Sequence, residues 1–355
     1  MTDRDTTMRR RVLLGTAATA AAASALGISE IADAASRWAA RPPKGFVRMS
    51  LPGRVVRVHK TGSLEGVQPK ADAARVMLER AMTELTGKKT LREALAQFVH
   101  PDDKVAIKPN GIAGKTSKKM AASKEVVLEL VRGLVAAGVK PANITIYEQY
   151  ASFLVATRCV VDKSLKLAPE FPSGIKTAVH QNKDAVMDAI RVGGVETKYV
   201  RPFTDASVVI NVTQLKDHSI CGYTGAMKNI THGSNINPHD FHEHNASPQI
   251  AHLYAQEVVK SRVALHIKDA YQVIYDEGPI DKNPRRRVPH EAIYVSTDPV
   301  ALDVIGWKEV DRLRKENGLP TLEGARRAPT YLRVAGELGL GIYDSNRIRL
   351  RDVKL

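Results

Sequence analysis

Residues 208–212 read Val-Val-Ile-Asn-Val, and residues 263–267 read Val-Ala-Leu-His-Ile. Each stretch is a short, almost continuous apolar run rich in β-branched residues, which is typical of a strand that is buried on both faces. Longer amphipathic segments separate such runs along the chain, and strands that alternate with helices usually pair in parallel. The two stretches therefore predict an α/β fold with a mostly parallel central sheet flanked by helices.

The same alternation predicts the remaining elements. Predicted strands cover residues 54–59, 104–108, 143–147, 207–212, 262–267 and 292–296, and predicted helices cover residues 71–85, 91–98, 123–137, 183–191, 248–259, 299–316 and 328–338. Asp298 followed by Pro299 favours a helix start, because proline is preorganised for the first helical position. Residues 347–355 alternate arginine with apolar residues, which predicts an edge strand with one solvated face.

The composition fits a globular chain with an excess of positive charge. The 355 residues are 43 % hydrophobic and 26 % charged, which argues against wholesale disorder and against a polytopic membrane protein. The net charge of +15 favours anionic partners such as phosphate, nucleic acid, acidic glycan or anionic lipid. Two cysteines, Cys159 and Cys221, are too few for a disulfide framework or an iron–sulfur cluster.

The N-terminus predicts export by the twin-arginine route. Arg9-Arg10 precede residues 12–29, a mildly apolar run without a charged residue, and residues 32–34 (Ala-Asp-Ala) then form a small-residue cleavage site. An ordinary secretory signal and an uncleaved membrane anchor are the alternatives. The prediction places the mature protein in the periplasm or another extracytoplasmic compartment, with the twin-arginine export machinery as a partner.

This interpretation divides the chain into residues 1–34 as a signal peptide, residues 35–53 as a linker containing proline and glycine, and residues 54–355 as one α/β domain. The signal carries four basic and four acidic residues, so its removal leaves the charge at +15. Because export would separate the protein from the nucleic acids of the cytoplasm, nucleic acid is not expected as a partner. An oxidising destination would also permit a disulfide between Cys159 and Cys221.

Polar residues follow several of the predicted strands. In open α/β sheets ligands bind beyond the carboxyl ends of the strands, so we expect these residues to converge on one rim. A lysine at such a place must lose its water or find an anion. The alternative is that strand ends are simply where a chain turns polar, and Asp298 also fits a helix N-cap. The residues are Lys108, Asn110, Glu148, Lys216, His218, Lys268, Asp269 and Asp298.

Histidines are concentrated in one region, since six of the eleven lie between residues 218 and 252. Imidazole is a frequent ligand of Zn, Fe, Ni and Cu, so a metal site is one hypothesis. Solvated loop histidines, or histidines that bind substrate or transfer protons, are the alternatives. Glycines around His232 let backbone approach a ligand closely, which favours that residue as a ligand or an acid–base group. The candidate metal ligands are His232, His239, His242, His244 and Asp269.

Three further patterns are less specific. Cys221 lies three residues after His218, which fits either a nucleophile beside a histidine or a small buried residue. Neither a Walker A motif nor G-x-G-x-x-G after a strand is present in the sequence, so a nucleotide cofactor has no support. The runs at 285–287 and 326–327 are interpreted as solvated arginines or as contacts to an anionic envelope polymer.

The order of the motifs resembles that of the domain of unknown function 362 family, over about residues 100–341. The similar segments are VAIKPN (105–110), SKEVVLELVRGLVAAGV (123–139), VVINVTQLKDHSICGYTGAMKNITHG (208–233), IKDAYQVIYDEGP (267–279), STDPVALDVIGW (296–307) and AGELGLG (335–341). The resemblance implies a shared polar set that excludes residues 239–244. That set is Lys108, Asn110, Lys216, His218, Lys228, Asn229, Asp269 and Asp298. Some family members carry a ferredoxin-like module, which this sequence lacks, so no iron–sulfur cluster is expected.

Two hypotheses about function follow. The first is an exported α/β enzyme that acts on a small anionic substrate, with or without a bound metal. Its catalytic candidates are His218, Lys216 and Lys228, and its substrate-binding candidates are Lys108, Asn110 and Asn229. The rival hypothesis is a non-catalytic periplasmic binding protein for a metal, a metal complex or an anionic envelope polymer.

Overall fold

The computed structural model describes residues 37–115 and 120–355, without the side chains of His244 and Asn245. The predicted export signal lies outside the described residues. Within them, no helix has the length and apolar character that crossing a membrane requires.

The strands of the described residues are β1 Arg54–His59, β2 Leu64–Glu65, β3 Gln68–Pro69, β4 Val105–Lys108, β5 Ile144–Glu148, β6 Lys176–Val179, β7 Ile190–Val192, β8 Val195–Thr197, β9 Val208–His218, β10 Gly222–Thr224, β11 Val263–Ile274, β12 Arg287–Ser296 and β13 Arg349–Lys354. Nine of them form a central sheet in the order β13-β1-β12-β11-β9-β4-β5-β6, with β10 paired to β9. Most neighbours are parallel, and the exceptions are β12, which is antiparallel to both of its neighbours, and β10. The predicted mostly parallel sheet is therefore confirmed.

Helices cover both faces of this sheet. They are α1 Ala71–Thr86, α2 Leu91–Leu95, α3 Lys124–Ala136, α4 Ala151–Ala156, α5 Arg201–Thr204, α6 Ala226–Thr231, α7 Gln249–Tyr254, α8 Glu257–Lys260, α9 Pro299–Glu316 and α10 Tyr331–Glu337. Alternate residues of a strand pack on opposite faces, so Val208 and Ile210 belong to one core cluster and Val209 belongs to another.

Two helix predictions differ from the structure. The predicted helix 183–191 is wrong, because its end forms the hairpin of β7 and β8 around Gly193 and Gly194. Both glycines have positive φ angles, of 56° and 84°, which a tight hairpin turn favours. The predicted helix 248–259 is two short helices, α7 and α8.

Strands β9 and β11 are longer than the sequence predicts. The apolar run of β9 ends at Val212, yet the strand continues to His218 and all eleven of its residues are buried. The polar residues after Val212 are therefore inside the sheet rather than beyond its rim. In β9, the change from apolar to polar residues marks the point at which the strand enters a polar part of the interior, and the strand itself ends six residues later.

The two cysteines lie in different core clusters. Cys159 packs with the cluster that contains Val105, and Cys221 packs with the cluster that contains Ala106, on the other face of β4. Both thiols are buried and free, which overturns the disulfide that the sequence left open. Burial raises the pKa of Cys159 to about 12.

The predicted linker lies along the domain. Between residues 39 and 53 it forms neither helix nor strand. Arg48 nevertheless forms a 2.8 Å ion pair with the buried carboxylate of Asp103, and the Leu51 amide donates to Thr297 Oγ1 at 2.8 Å. At the other end of the chain, β13 pairs with β1 as the predicted edge strand.

A buried ion pair joins the sheet to two helices. Lys268 Nζ on β11 lies 3.1 Å from Asp303 Oδ1 on α9, and both side chains are fully buried. Asp303 also accepts hydrogen bonds from the amides of Ala226, at 2.7 Å, and Met227, at 3.0 Å. One carboxylate thus fixes the first turn of α6 against the sheet.

Replacing Asp303 with alanine should lower the free energy of unfolding by about 3–5 kcal/mol, because it leaves the Lys268 ammonium buried without its counterion. Urea denaturation monitored by circular dichroism measures this loss. The matched control is Asp188→Ala, which removes an exposed pair with Arg37 and should cost about 0–1 kcal/mol. Equal losses in the two variants would contradict the structural role given to Asp303.

Candidate functional site

A cleft of about 150 Å³ lies where β4 and β5 end and β9 continues past them. It brings together most of the polar residues that the sequence singled out, from segments more than 100 residues apart. The lining residues are Lys108, Asn110, Ile112, Glu148, Gln149, Phe153, His218, Thr224, Lys228, Asn229, His232, Gly233, Pro238, His242 and Pro279.

Lys108 is neutralised within the cleft. Its Nζ lies 3.0 Å from Glu148 Oε1 and donates to the carbonyl of Pro109 at 2.8 Å. Burial lowers the pKa of Lys108, and the charge of Glu148 opposes that shift. The Glu148 carboxylate also accepts from the amides of Gly111 and Gln149, at 2.8 and 2.6 Å. The pair is therefore held rigidly, with its two charges balanced.

A chain of hydrogen-bonded asparagine side chains connects the loop after β4 and the middle of β9 to helix α6. Asn110 Nδ2 donates to Asn229 Oδ1 at 2.8 Å, and Asn229 Nδ2 donates to Asn211 Oδ1 at 2.7 Å. All three side chains are buried. Asn211, inside β9, was not among the predicted site residues because it sits in the middle of an apolar run.

Lys216 does not line the cleft but lies beneath the residues that do, and it is fully buried. Its Nζ donates to Asn110 Oδ1 at 2.7 Å, and it has no carboxylate partner among the described residues. Burial lowers its pKa to about 7; the nearby charges of Lys228 and Lys108 act in the same direction, whereas Glu148 opposes them. Lys216 therefore supports Asn110 from behind rather than facing a ligand.

Lys228 and His242 form the polar wall of the cleft. Lys228 Nζ lies 3.2 Å from His242 Nε2, and His242 Nδ1 lies 2.9 Å from the carbonyl of Pro238. A carbonyl can only accept, so Nδ1 carries the ring proton and Nε2 presents a lone pair to the ammonium. Burial, followed by the charge of Lys228, lowers the pKa of His242 to about 4.

His218 has the opposite tautomer. Its Nδ1 accepts from the backbone amides of Ile220 and Cys221, at 3.1 and 3.4 Å, so the proton of the neutral ring is on Nε2. Burial, and then the charge of Lys228, lowers the pKa of His218 well below its ordinary value. Its ring stacks on His242 with centroids 5.9 Å apart. The cleft thus offers one imidazole as an acceptor and one as a donor.

Three of the candidate metal ligands lie near one another, since the ring centroids of His232 and His239 are 4.8 and 6.2 Å from that of His242, but they do not form a metal site. The side chain of His244 lies outside the described residues. Both ring nitrogens of His232 are engaged by the protein, with Thr231 Oγ1 at 3.1 Å and the Phe241 carbonyl at 3.2 Å, and His239 is exposed. Asp269 lies elsewhere, and it accepts from the Ser123 amide at 2.6 Å. In residues 37–115 and 120–355, no three His, Cys, Asp or Glu side chains are arranged to hold a metal.

Asp298 does not join the expected rim. Strand β12 is antiparallel to β11, so the residues that follow β12 lie at the opposite end of the strands from the cleft. There the Asp298 carboxylate accepts from the amides of Ala301, Gly53 and Ile342, at 2.8, 2.8 and 2.9 Å. Asp298 is the N-cap of α9, as the alternative interpretation of this residue predicted. It also connects the start of this helix to two loops.

The interpretation of Arg327 as surface is wrong. Its Nη1 donates to Asp217 Oδ1 at 2.8 Å and to the backbone carbonyl of His218 at 2.9 Å. Burial raises the pKa of Asp217 to about 6, and the charge of Arg327 opposes that shift. Arg327 thus holds the end of β9 that carries His218. The two residues are more than 100 positions apart, so the sequence carried no signal for this contact.

The other arginine run and Cys221 have local partners. Arg286 Nε lies 3.1 Å from Glu277 Oε1, and Arg287 pairs with the buried carboxylate of Asp281. Cys221 is fully buried with its Sγ 3.3 Å from the Tyr223 carbonyl, and burial raises its pKa to about 11. This favours the small buried residue over a thiolate nucleophile.

Comparisons with known proteins identify a family but not an activity. A family model described as Domain of unknown function (DUF362) matches residues 105–308, which is more than half of the chain. Among curated proteins, none matches the sequence. The chain is similar to the solved structure of the lactate racemase apoprotein from Thermoanaerobacterium thermosaccharolyticum, with a TM-score of 0.40 and 11 % identity, over 77 % of this chain and 61 % of that chain. It therefore spans less than two thirds of that protein, and a similarity this low carries no argument about function.

The buried Lys216 makes stability depend on pH. Because its pKa falls from an ordinary 10.5 to about 7, protonation costs stability fully below pH 7, and the cost disappears as the pH rises to 10.5. We expect the free energy of unfolding of Lys216→Met to exceed that of the wild type by more at pH 7 than at pH 10. Urea unfolding of both proteins at both pH values measures the two differences. The exposed Lys163→Met is the control. A stability difference that is the same at both pH values would contradict the burial of an unpaired amine.

Proposed function

The chain belongs to the family called Domain of unknown function (DUF362), and we propose that it is an enzyme that transfers a proton to or from a small anionic substrate. The observation that carries this proposal is the contact between Lys228 Nζ and His242 Nε2, at 3.2 Å in a buried cleft. It places a cation beside a proton acceptor, and the cation lacks a carboxylate partner among the described residues.

Lys228 supports the binding of an anion. A buried ammonium without a counterion is costly, and a bound carboxylate or phosphate would supply the missing charge and form strong hydrogen bonds with it. Burial already lowers the pKa of Lys228 in the absence of such a partner. Lys108 contributes less, because Glu148 balances its charge at 3.0 Å.

The two imidazoles support proton transfer. His242 Nε2 faces Lys228 Nζ at 3.2 Å, and its lone pair can serve as a general base once a substrate anion draws the Lys228 ammonium to itself. His218 Nε2 carries a proton that can stabilise negative charge developing on the substrate. Their tautomers follow from backbone groups, so binding an anion does not have to create them. The hydrogen bond from Asn110 to Asn229 holds helix α6, which carries Lys228, and Lys216 acts through Asn110 rather than by touching the substrate.

The size of the cleft supports a small substrate. Its volume of about 150 Å³ lies below the range of about 300–1,000 Å³ that holds drug-sized ligands. The enclosed part of the cleft has room for a molecule, or a ligand group, of a few non-hydrogen atoms. This size supports a small anionic substrate.

A metal-dependent variant of the proposal would place the ion near His218 and His242, the two histidines in the cleft that each keep one ring nitrogen away from backbone partners. Two imidazoles are fewer ligands than protein metal sites usually have. Elemental analysis of protein purified from its export compartment decides the matter: stoichiometric metal supports this variant, and its absence after native purification excludes it.

The proposal includes export through the twin-arginine route, supported by Arg9-Arg10 before the apolar run at 12–29. Changing both arginines to lysine should leave the precursor in the cytoplasm, as fractionation and immunoblotting would show. An ordinary secretory signal tolerates that change, because it needs only positive charge. Normal export of the double variant would therefore point to the ordinary route.

The proton-transfer activity is tested by incubating the protein in D₂O with a panel of small carboxylates and phosphate esters and following C–H exchange by NMR. His242→Asn should lower kcat/KM for an active substrate by about 10²–10⁴-fold, the usual contribution of a general base. The control is His100→Asn, a partly exposed histidine that does not line the cleft, which should leave the rate unchanged. Tight binding of an anion without exchange or turnover would instead favour a non-catalytic binding protein.

A further inference from the structure

Thr224 is an unsatisfied polar group in the lining of the cleft. The residue is only 4 % exposed, and its Oγ1 has no hydrogen-bond partner among the described residues. Native proteins satisfy most buried polar side-chain atoms, so an exception needs an explanation. Thr224 lies on β10 opposite Lys216 of β9, and four residues before Lys228. A ligand in the cleft would explain its free hydroxyl.

Two other donors share the cleft with Thr224. Lys228 Nζ has three protons and one neighbouring acceptor, His242 Nε2, so two protons are left for a ligand. His218 Nε2 carries the proton of its neutral ring, since its Nδ1 accepts from backbone amides. Hydroxyl, ammonium and imidazole donors on one cleft are a suitable set for an oxyanion.

The charges of the cleft match one negative charge. Lys108 and Glu148 cancel each other across 3.0 Å. The three histidines of the lining, His218, His232 and His242, are neutral, because burial lowers the pKa of each ring. Lys228 is left as the one unbalanced cation of the lining among the described residues. Lys216 lies beneath the lining and does not face the ligand.

We propose that Thr224, Lys228 and His218 bind the carboxylate group of a small monocarboxylic acid. A phosphate dianion would bring a second negative charge into a buried cleft that already contains Glu148, and that charge would have no partner. A carboxylate has two oxygens and one charge, and the three donors can satisfy both oxygens. This inference rests on the proposed function and names the class of its substrate.

Binding of small probes tests the inference. Isothermal titration calorimetry with acetate, glycolate and inorganic phosphate should show tighter binding of the two carboxylates than of phosphate. Thr224→Val, which replaces the hydroxyl with a methyl group of similar size, should weaken carboxylate binding about tenfold or more. Thr224→Ser keeps the hydroxyl and should bind like the wild type. Urea unfolding should show that Thr224→Val is as stable as the wild type or more stable, since no hydrogen bond within the protein is lost.

Each outcome separates this inference from the proposed enzyme. Tighter binding of phosphate would overturn the carboxylate class and leave an enzyme for another anion intact. Equal carboxylate affinity in Thr224→Val and the wild type, or no binding of either carboxylate, would overturn the site. Carboxylate binding that depends on Thr224, without proton exchange on any carboxylate, would support the site and count against the enzyme.

Discussion

Strand β9 is buried along all eleven residues, although four of its last five side chains are polar. Burial forces each polar group to find a partner inside the protein, and those partners come from distant parts of the chain. Lys216 reaches Asn110 beyond β4, and Asp217 takes Arg327 from the C-terminal region. His218 accepts from the amides of the loop that follows it. The need to satisfy this one strand therefore determines where the surrounding loops can lie.

The electrostatics of the cleft follow from the same constraint. Where a carboxylate was available, as for Lys108 and Lys268, the buried ammonium is paired with it. Lys216 and Lys228 have only neutral acceptors among the described residues, an amide oxygen and an imidazole nitrogen. The interior thus contains both lysines that are paired with a carboxylate and lysines that are not. Of these two lysines only Lys228 lines the cleft, so it is the cation that a bound anion would stabilise.

The sequence predicted the elements whose signals are local. Strand Arg54–His59 and helix Pro299–Glu316 have the predicted bounds, because β-branched alternation and an Asp-Pro start act within a few residues. Much of the cleft was also predictable, since Lys108, Asn110, His218, Lys228 and Asn229 lie there. The direction of β12 was not predictable from local pattern, and it places Asp298 at the opposite end of the strands from the cleft. Contacts such as Arg327 with Asp217, and the unpaired hydroxyl of Thr224, exist only after the chain is folded.

The positions of the cysteines have a consequence for how and where the protein matures. Cys159 and Cys221 are the two cysteines of the chain, and they are buried as thiols on opposite faces of the sheet. The native state therefore includes no covalent cross-link whose formation would require an oxidant. Folding can reach completion in a reducing cytoplasm, and the finished molecule has no bond for thioredoxin or glutathione to break. The native state therefore does not depend on the redox conditions of its compartment, which is compatible with the proposed export of an already folded protein.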